Sequence, residues 1–250
     1  MTPTETPFFF GPRAGLFGMY HAPEGRARGG LLMCPPLGQD LIRCHRLYRQ
    51  LAQSVAARGI AVLRFDYHGT GDSAGDSADV DWNRCIADAM TAATELRSHS
   101  GADRVVAFGA RLGASIALAA DAARFAEVIA WDPILDGQAH MAAMDALQAA
   151  LREDAGRFTK PRAHADVAAQ WLGFAVSEPL RQQLAALRPE AFATPSLTID
   201  STAVVPRTDG STRVVPLGQP TPWNDLRRLE SAILSHPLIH AVGSHLERAA

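Results

Sequence analysis

Residues 105–120 read VVAFGARLGASIALAA, and the architecture of the chain follows from this stretch. Arg104–Phe108 leads into it as an apolar run with two valines, the pattern of a strand covered on both faces. Gly109 and Gly113 punctuate a tight turn, and the Ala-rich run beyond predicts a helix to about Ala123. The same rhythm extends to both sides. Gly30–Cys34 (GLLMC), Ile60–Asp66 (IAVLRFD) and Glu127–Trp131 (EVIAW) predict further strands, with helices over Arg43–Arg58 and Val80–Ser98. Phe8–Phe10 and Leu16–Tyr20 predict an opening antiparallel hairpin. This alternation predicts an α/β fold, a mostly parallel central sheet flanked by helices.

From Asp136 to about Phe192 the rhythm stops, and the segment reads as mainly helical, most clearly over Ala139–Leu151 and Pro179–Leu187. Strand signals return at Ser196–Ile199 and Thr212–Leu217, and a last helix is expected from about Asn224 to the C-terminus, broken near Pro237. The expected organisation is one domain over 1–250 with a helical cap inserted at 136–192.

Of the 250 residues, 47% are hydrophobic and 20% charged, enough apolar material for a real core and too much for a disordered chain. A net charge of −2 argues against a basic nucleic-acid surface. The three cysteines, Cys34, Cys44 and Cys85, have no scaffold spacing and read as reduced thiols of a cytoplasmic protein. MTPTETPFFFGPR lacks the basic start and apolar run of a signal peptide, and no window of 18 apolar residues predicts a membrane span. No cofactor or metal is expected.

Strand, GARLG and helix together have the layout of the G-x-S-x-G nucleophile elbow of α/β-hydrolases, in which the central residue is pushed out over the end of the sheet. Here that residue is Arg111, whose guanidinium stays protonated and cannot attack a carbonyl. LLMCPPLGQDLIRCHRLYRQLAQSVAARGIAVLRFDYHGTGDSAG, beginning at Leu31, resembles the opening of α/β-hydrolases of the serine-aminopeptidase type. Pro35-Pro36, Gly71–Asp76, Gly109–Ala114, Trp131–Gly137 and Pro222-Trp223 resemble more closely the hydrolase families associated with the exosortase A system of bacteria. The likeness extends over about 15–245 and departs at Gly38-Gln39-Asp40 and His68-Gly69-Thr70, where those families carry an acidic pair and often a Cys. It implies an oxyanion hole in the loop after the first parallel strand and a triad in the order Ser, Asp or Glu, His.

Asp200 is the nearest candidate acid, with Asp209 next. The loop PLGQPTPWND, where the base is expected, has no His, and His236, His240 and His245 come too late in the chain. The expectation is therefore a degenerate hydrolase that binds a small anionic or acyl-type ligand or a partner without turnover, beside an exopolysaccharide or protein-sorting system. The alternative is an active hydrolase or acyltransferase, on ester, thioester or peptide, with a non-standard catalytic residue. Arg111 either fills the former nucleophile pocket, paired with Asp132, Asp136 or Asp200, or forms an anion site at a helix N-terminus. Leu37, Gln39 and Leu112 are binding candidates beside it, with Asp132. His68, near the carboxyl end of the sheet, is a candidate base or ligand residue, and Cys34 a candidate thiol or a small core residue.

Overall fold

The computed structural model describes residues 4–154 and 169–248. The chain opens with β1 (Glu5–Phe10) and β2 (Leu16–His21), paired antiparallel, and continues through β3 (Gly30–Cys34), α1 (Gln39–Ala56), β4 (Ala61–Phe65) and α2 (Trp82–Ser100). Next come β5 (Val105–Ala110), α3 (Leu112–Ala119), β6 (Glu127–Trp131) and α4 (Gly137–Glu153). A two-stranded hairpin, β7 (Gln170–Trp171) and β8 (Phe174–Ala175), leads to α5 (Glu178–Ala185). The chain closes with β9 (Leu197–Asp200), β10 (Arg207–Asp209), β11 (Thr212–Pro216) and α6 (His236–Arg248).

Among the described residues one sheet runs in the order β1-β2-β4-β3-β5-β6-β9-β11-β10. The six strands from β4 to β11 are parallel to their neighbours, and the antiparallel pairings lie at the two edges. β3 and β5 are apolar throughout because successive side chains enter different cores. Leu31 and Met33 of β3 and Val106 and Phe108 of β5 pack with Leu47 and Leu51 of α1 and Val242 of α6. Leu32, Cys34, Val105 and Ala107 face the other way, onto Cys85, Ala89 and Leu96 of α2 and Ile116 of α3. Each fully buried leucine in these layers contributes about 2 kcal/mol.

Three expectations need correction. The segment 136–192 is not wholly helical, since β7 and β8 lie within it, and 155–168 of the expected cap lie outside the described residues. The hairpin turns through Leu172 and Gly173, both at positive φ (52° and 95°), the two-residue turn that matches strand twist. Gln148 Oε1 of α4 accepts from the Leu172 N–H at 2.7 Å and ties the turn down. The helix after the elbow ends at Ala119 and gives way to a short 3-10 turn at Asp121–Ala123. The last helix begins at His236, not near Asn224, so Pro237 falls in its first turn, where a missing N–H is tolerated. Upstream, the carbonyls of Pro222, Trp223 and Ser231 accept from the buried Arg43 guanidinium of α1 at 2.7, 2.8 and 3.4 Å, which holds that stretch as loop.

The junction of β5 and α3 is packed backbone to backbone. A Cβ on Gly113 would lie 2.3 Å from the Pro35 carbonyl oxygen and 2.5 Å from that of Cys34. A Cβ on Gly109 would lie 2.5 Å from the Ala114 nitrogen. Neither neighbour is the movable end of a side chain. Gly113→Ala is therefore expected to cost about 3 kcal/mol or more, read as a lowered midpoint in urea, whereas Gly29→Ala, whose Cβ would meet only the Arg104 carbonyl at 3.5 Å, costs far less. Equal losses at the two sites would contradict this packing.

Candidate functional site

Arg111 lies between the end of β5 and the start of α3, at the elbow tip read from the sequence, with φ 53° and ψ −128°. That backbone is costly for a residue with a side chain, and it persists because the surroundings over-determine it. The Arg111 N–H donates to the Trp131 carbonyl at 3.0 Å. The buried Tyr48 hydroxyl of α1 donates to the Cys34 carbonyl at 3.1 Å and accepts from the Ala110 N–H at 3.0 Å, tying the ends of β3 and β5 together.

The Arg111 side chain turns toward α1. Its Nε meets Asp40 Oδ2 at 3.4 Å, and its guanidinium lies over the Trp223 ring, 5.2 Å from the centroid. Both partners of the ion pair are largely covered, with side chains 12% and 18% exposed. Burial raises the Asp40 pKa, and the nearby Arg111 and Arg43 charges oppose that rise. The partner is thus Asp40 and none of the three carboxylates expected, because each of those is engaged elsewhere. Asp136 caps α4 through the Ala139 N–H at 3.0 Å. Asp200 accepts from the Thr202 N–H and hydroxyl and the Ala203 N–H, and pairs with Arg207.

Asp132, at φ 43°, accepts from the Ser201 N–H (2.8 Å), the Ser201 hydroxyl (2.7 Å) and the Trp223 indole N–H (2.7 Å). Arg111, Asp132 and Trp223 therefore stand in the chain order of nucleophile, acid and base, with the indole in the loop after β11 where an imidazole was expected. An indole N–H donates but has no basic nitrogen with which to take a proton. Among the described residues the one Ser–His hydrogen bond, Ser244 with His240 at 3.5 Å, is on α6, outside the elbow. His236 and His240 stand four residues apart there, and no cluster of three or more His, Cys, Asp or Glu able to hold a metal occurs among the described residues.

A cavity of about 420 Å³ opens over the elbow, within the usual range for small-molecule sites. Leu37, Gln39, Arg111 and Leu112 line it. Leu112 lies in the first turn of α3, where backbone N–H groups have no intrahelical acceptor. Gln39 is partly committed, its amide donating to the Leu229 carbonyl at 2.6 Å. His68, Asp132, Asp200 and Cys34 lie outside its lining. The His68 ring packs beneath Gly75, and its backbone N–H donates to Asp88 at 2.9 Å. Cys34 is fully buried in the sheet, and desolvation pushes its thiol up to about 12, so it offers no thiolate. Asp209 is exposed on the edge strand β10.

Sequence reasoning missed Asp40, His140 and Trp223 as cavity residues, along with the part of the apolar wall that comes from the hairpin and α5. Met144, Leu147, Trp171, Phe174, Leu180 and Leu184 form that wall. The PTPW stretch was a signal for Trp223, read only as part of a resemblance.

The family model for "Serine aminopeptidase, S33" matches residues 42–172, more than half of the chain. The chain belongs to that hydrolase family. Its α/β-hydrolase fold recurs in solved structures of low identity. The structure of DcsB in complex with its substrate analogue shares 15% identity over 98% of this chain and 99% of that one, at a TM-score of 0.62. Est1E from Butyrivibrio proteoclasticus, with ferulic acid bound, shares 14% over 93% and 94%, at 0.63. A highly thermostable carboxyl esterase from Bacillus coagulans, in complex with glycerol, shares 14% over 99% and 98%, at 0.57. Comparison with curated proteins gave no match. Among the described residues no helix is long and apolar enough to cross a membrane.

Within this S33 frame the Asp132 carboxylate depends on the indole. Trp223→Phe keeps a ring under Arg111 but removes one of the donors to Asp132. Its expected cost is about 1–3 kcal/mol in chemical denaturation, and an unchanged midpoint would mean that the bond carries no stability.

Proposed function

We propose that this S33-family protein is a ligand-binding member that has given up hydrolysis, holding a small acyl-type or anionic ligand in the cavity over its elbow. The observation that carries this reading is the guanidinium at the nucleophile's place, paired with Asp40 and stacked on an indole at the base's place. An acyl-enzyme needs a nucleophile and a group to take its proton, and Arg111 and Trp223 supply neither. The apolar wall and the helix N-terminus at Leu112 support retained binding of an acyl chain and a polar head. Residues 136–192 act in this reading as the cap, which supplies that wall. The motifs shared with exosortase-associated families support a setting beside an exopolysaccharide or protein-sorting system. The buried thiols of Cys34, Cys44 and Cys85, free of disulfides, fit a reducing compartment.

The test is activity-based. A fluorophosphonate probe is expected to leave the protein unlabelled, and p-nitrophenyl esters to be hydrolysed no faster than background. Arg111→Ser restores the letters of the elbow without a base. A base contributes roughly 10²–10⁴-fold, so this variant is expected to gain little turnover. It should also melt at a lower temperature, by roughly 3 kcal/mol of stability, because Asp40 is left without its guanidinium. Labelling of the parent, or turnover by the variant that titrates with fluorophosphonate, would overturn the reading.

A further inference from the structure

We infer that the cavity is built for a monocarboxylate with an apolar tail, its head held between Arg111 of the elbow and His140 of α4. This deepens the reading that the cavity binds without turnover, and rests on it. Two cavity-lining residues carry unused polar atoms, and the Arg111 charge acts on His140 across the space between them. Arg111 spends only Nε on Asp40, and its two terminal nitrogens make no hydrogen bond to any described residue. His140 lines the same cavity, is 8% exposed, and its buried Nδ1 has no partner among the described residues. A buried polar atom left unpaired costs about 1–3 kcal/mol, and a cavity whose lining holds such an imidazole together with unused guanidinium donors is completed by a polar ligand head that engages both residues.

The chemistry of the head follows from the donor set. A guanidinium presents parallel N–H groups that match the two oxygens of a carboxylate. Desolvation, reinforced by the Arg111 charge, lowers the His140 pKa to about 4, so near neutral pH the ring is uncharged and offers one donor and one acceptor. One net charge from Arg111, partly offset by Asp40, suits a monoanion better than a phosphate of higher charge. Asp76, another carboxylate of the lining, caps its own 3-10 turn. The tail is chosen by the wall beside His140, where Trp171 meets the His140 ring edge-on at 5.9 Å between centroids, and Met144 and Leu147 continue the apolar surface.

The measurement is a titration of the full chain with decanoate, decanol and methyl decanoate, each below its aggregation limit, by calorimetry and by fluorescence of the cavity tryptophans. A merely apolar cavity prefers the alcohol, because a carboxylate must shed its water to enter. The expected result is the reverse, with decanoate at least tenfold tighter than decanol and than the methyl ester. His140→Phe is expected to weaken decanoate at least fivefold, and more than it weakens decanol, with a thermal melt of the variant showing that it is folded. His140→Gln recovers part of the loss, and Arg111→Met abolishes the preference for the acid. Should decanoate fail to bind, hexanoate and butyrate are tried, and failure of all three overturns the inference. Equal binding of acid and alcohol, or undiminished acid binding in both the His140→Phe and Arg111→Met variants, overturns it as well while leaving ligand binding standing. Hydrolysis of methyl decanoate would instead overturn the absence of turnover, whatever the head preference.

Discussion

Everything around the cavity depends on how closely the first turn of α3 approaches the chain leaving β3. The Pro35 and Cys34 carbonyls occupy the space where any side chain at 113 would sit. That contact fixes the angle at which the helix departs, and so the position of residue 111 over the sheet's carboxyl end. The Tyr48 hydroxyl locks the same two strand ends from the opposite layer. A scaffold built this way holds its central residue in place whatever that residue is. Arg111 bears the strained backbone of a nucleophile without being one.

The electrostatics of the site are organised around that residue. A permanent cation at the tip calls for a counter-charge, and Asp40 in the first turn of α1 provides it. Aromatic surface from Trp223 covers the cation's face, and Asp132 anchors the indole. These contacts form a closed set in which each member satisfies the next. The Asp132 carboxylate holds a neutral ring that donates a hydrogen bond to it.

The sheet was legible because its strands are buried on both sides. GLLMC, VVAF and EVIAW have no solvent face, so their apolar runs are unbroken. The elbow was legible because two glycines are obligatory at a backbone contact. Asp40 was not, since its bond to Arg111 joins positions 71 apart in the chain through the topology of the sheet. His140 escaped because a histidine on a half-buried helix face carries no pattern of its own. The hairpin of β7 and β8 was hidden by its brevity and by a leucine in a conformation that usually selects Asn or Gly. The start of α6 was misplaced because the intervening carbonyls are taken by a guanidinium from another element.

That guanidinium has a wider bearing. Arg43 reaches from α1 to three carbonyls of the chain between β11 and α6, and the Ile233 N–H donates back to the Arg43 carbonyl at 2.9 Å. A segment with little regular structure of its own is thereby stitched to one of the earliest helices in the sequence. Opening of the loop that carries Trp223 then requires breaking contacts to α1, so the two belong to one cooperative unit. The cavity floor inherits the rigidity of the folded body, and local fraying of the C-terminal region does not reach it.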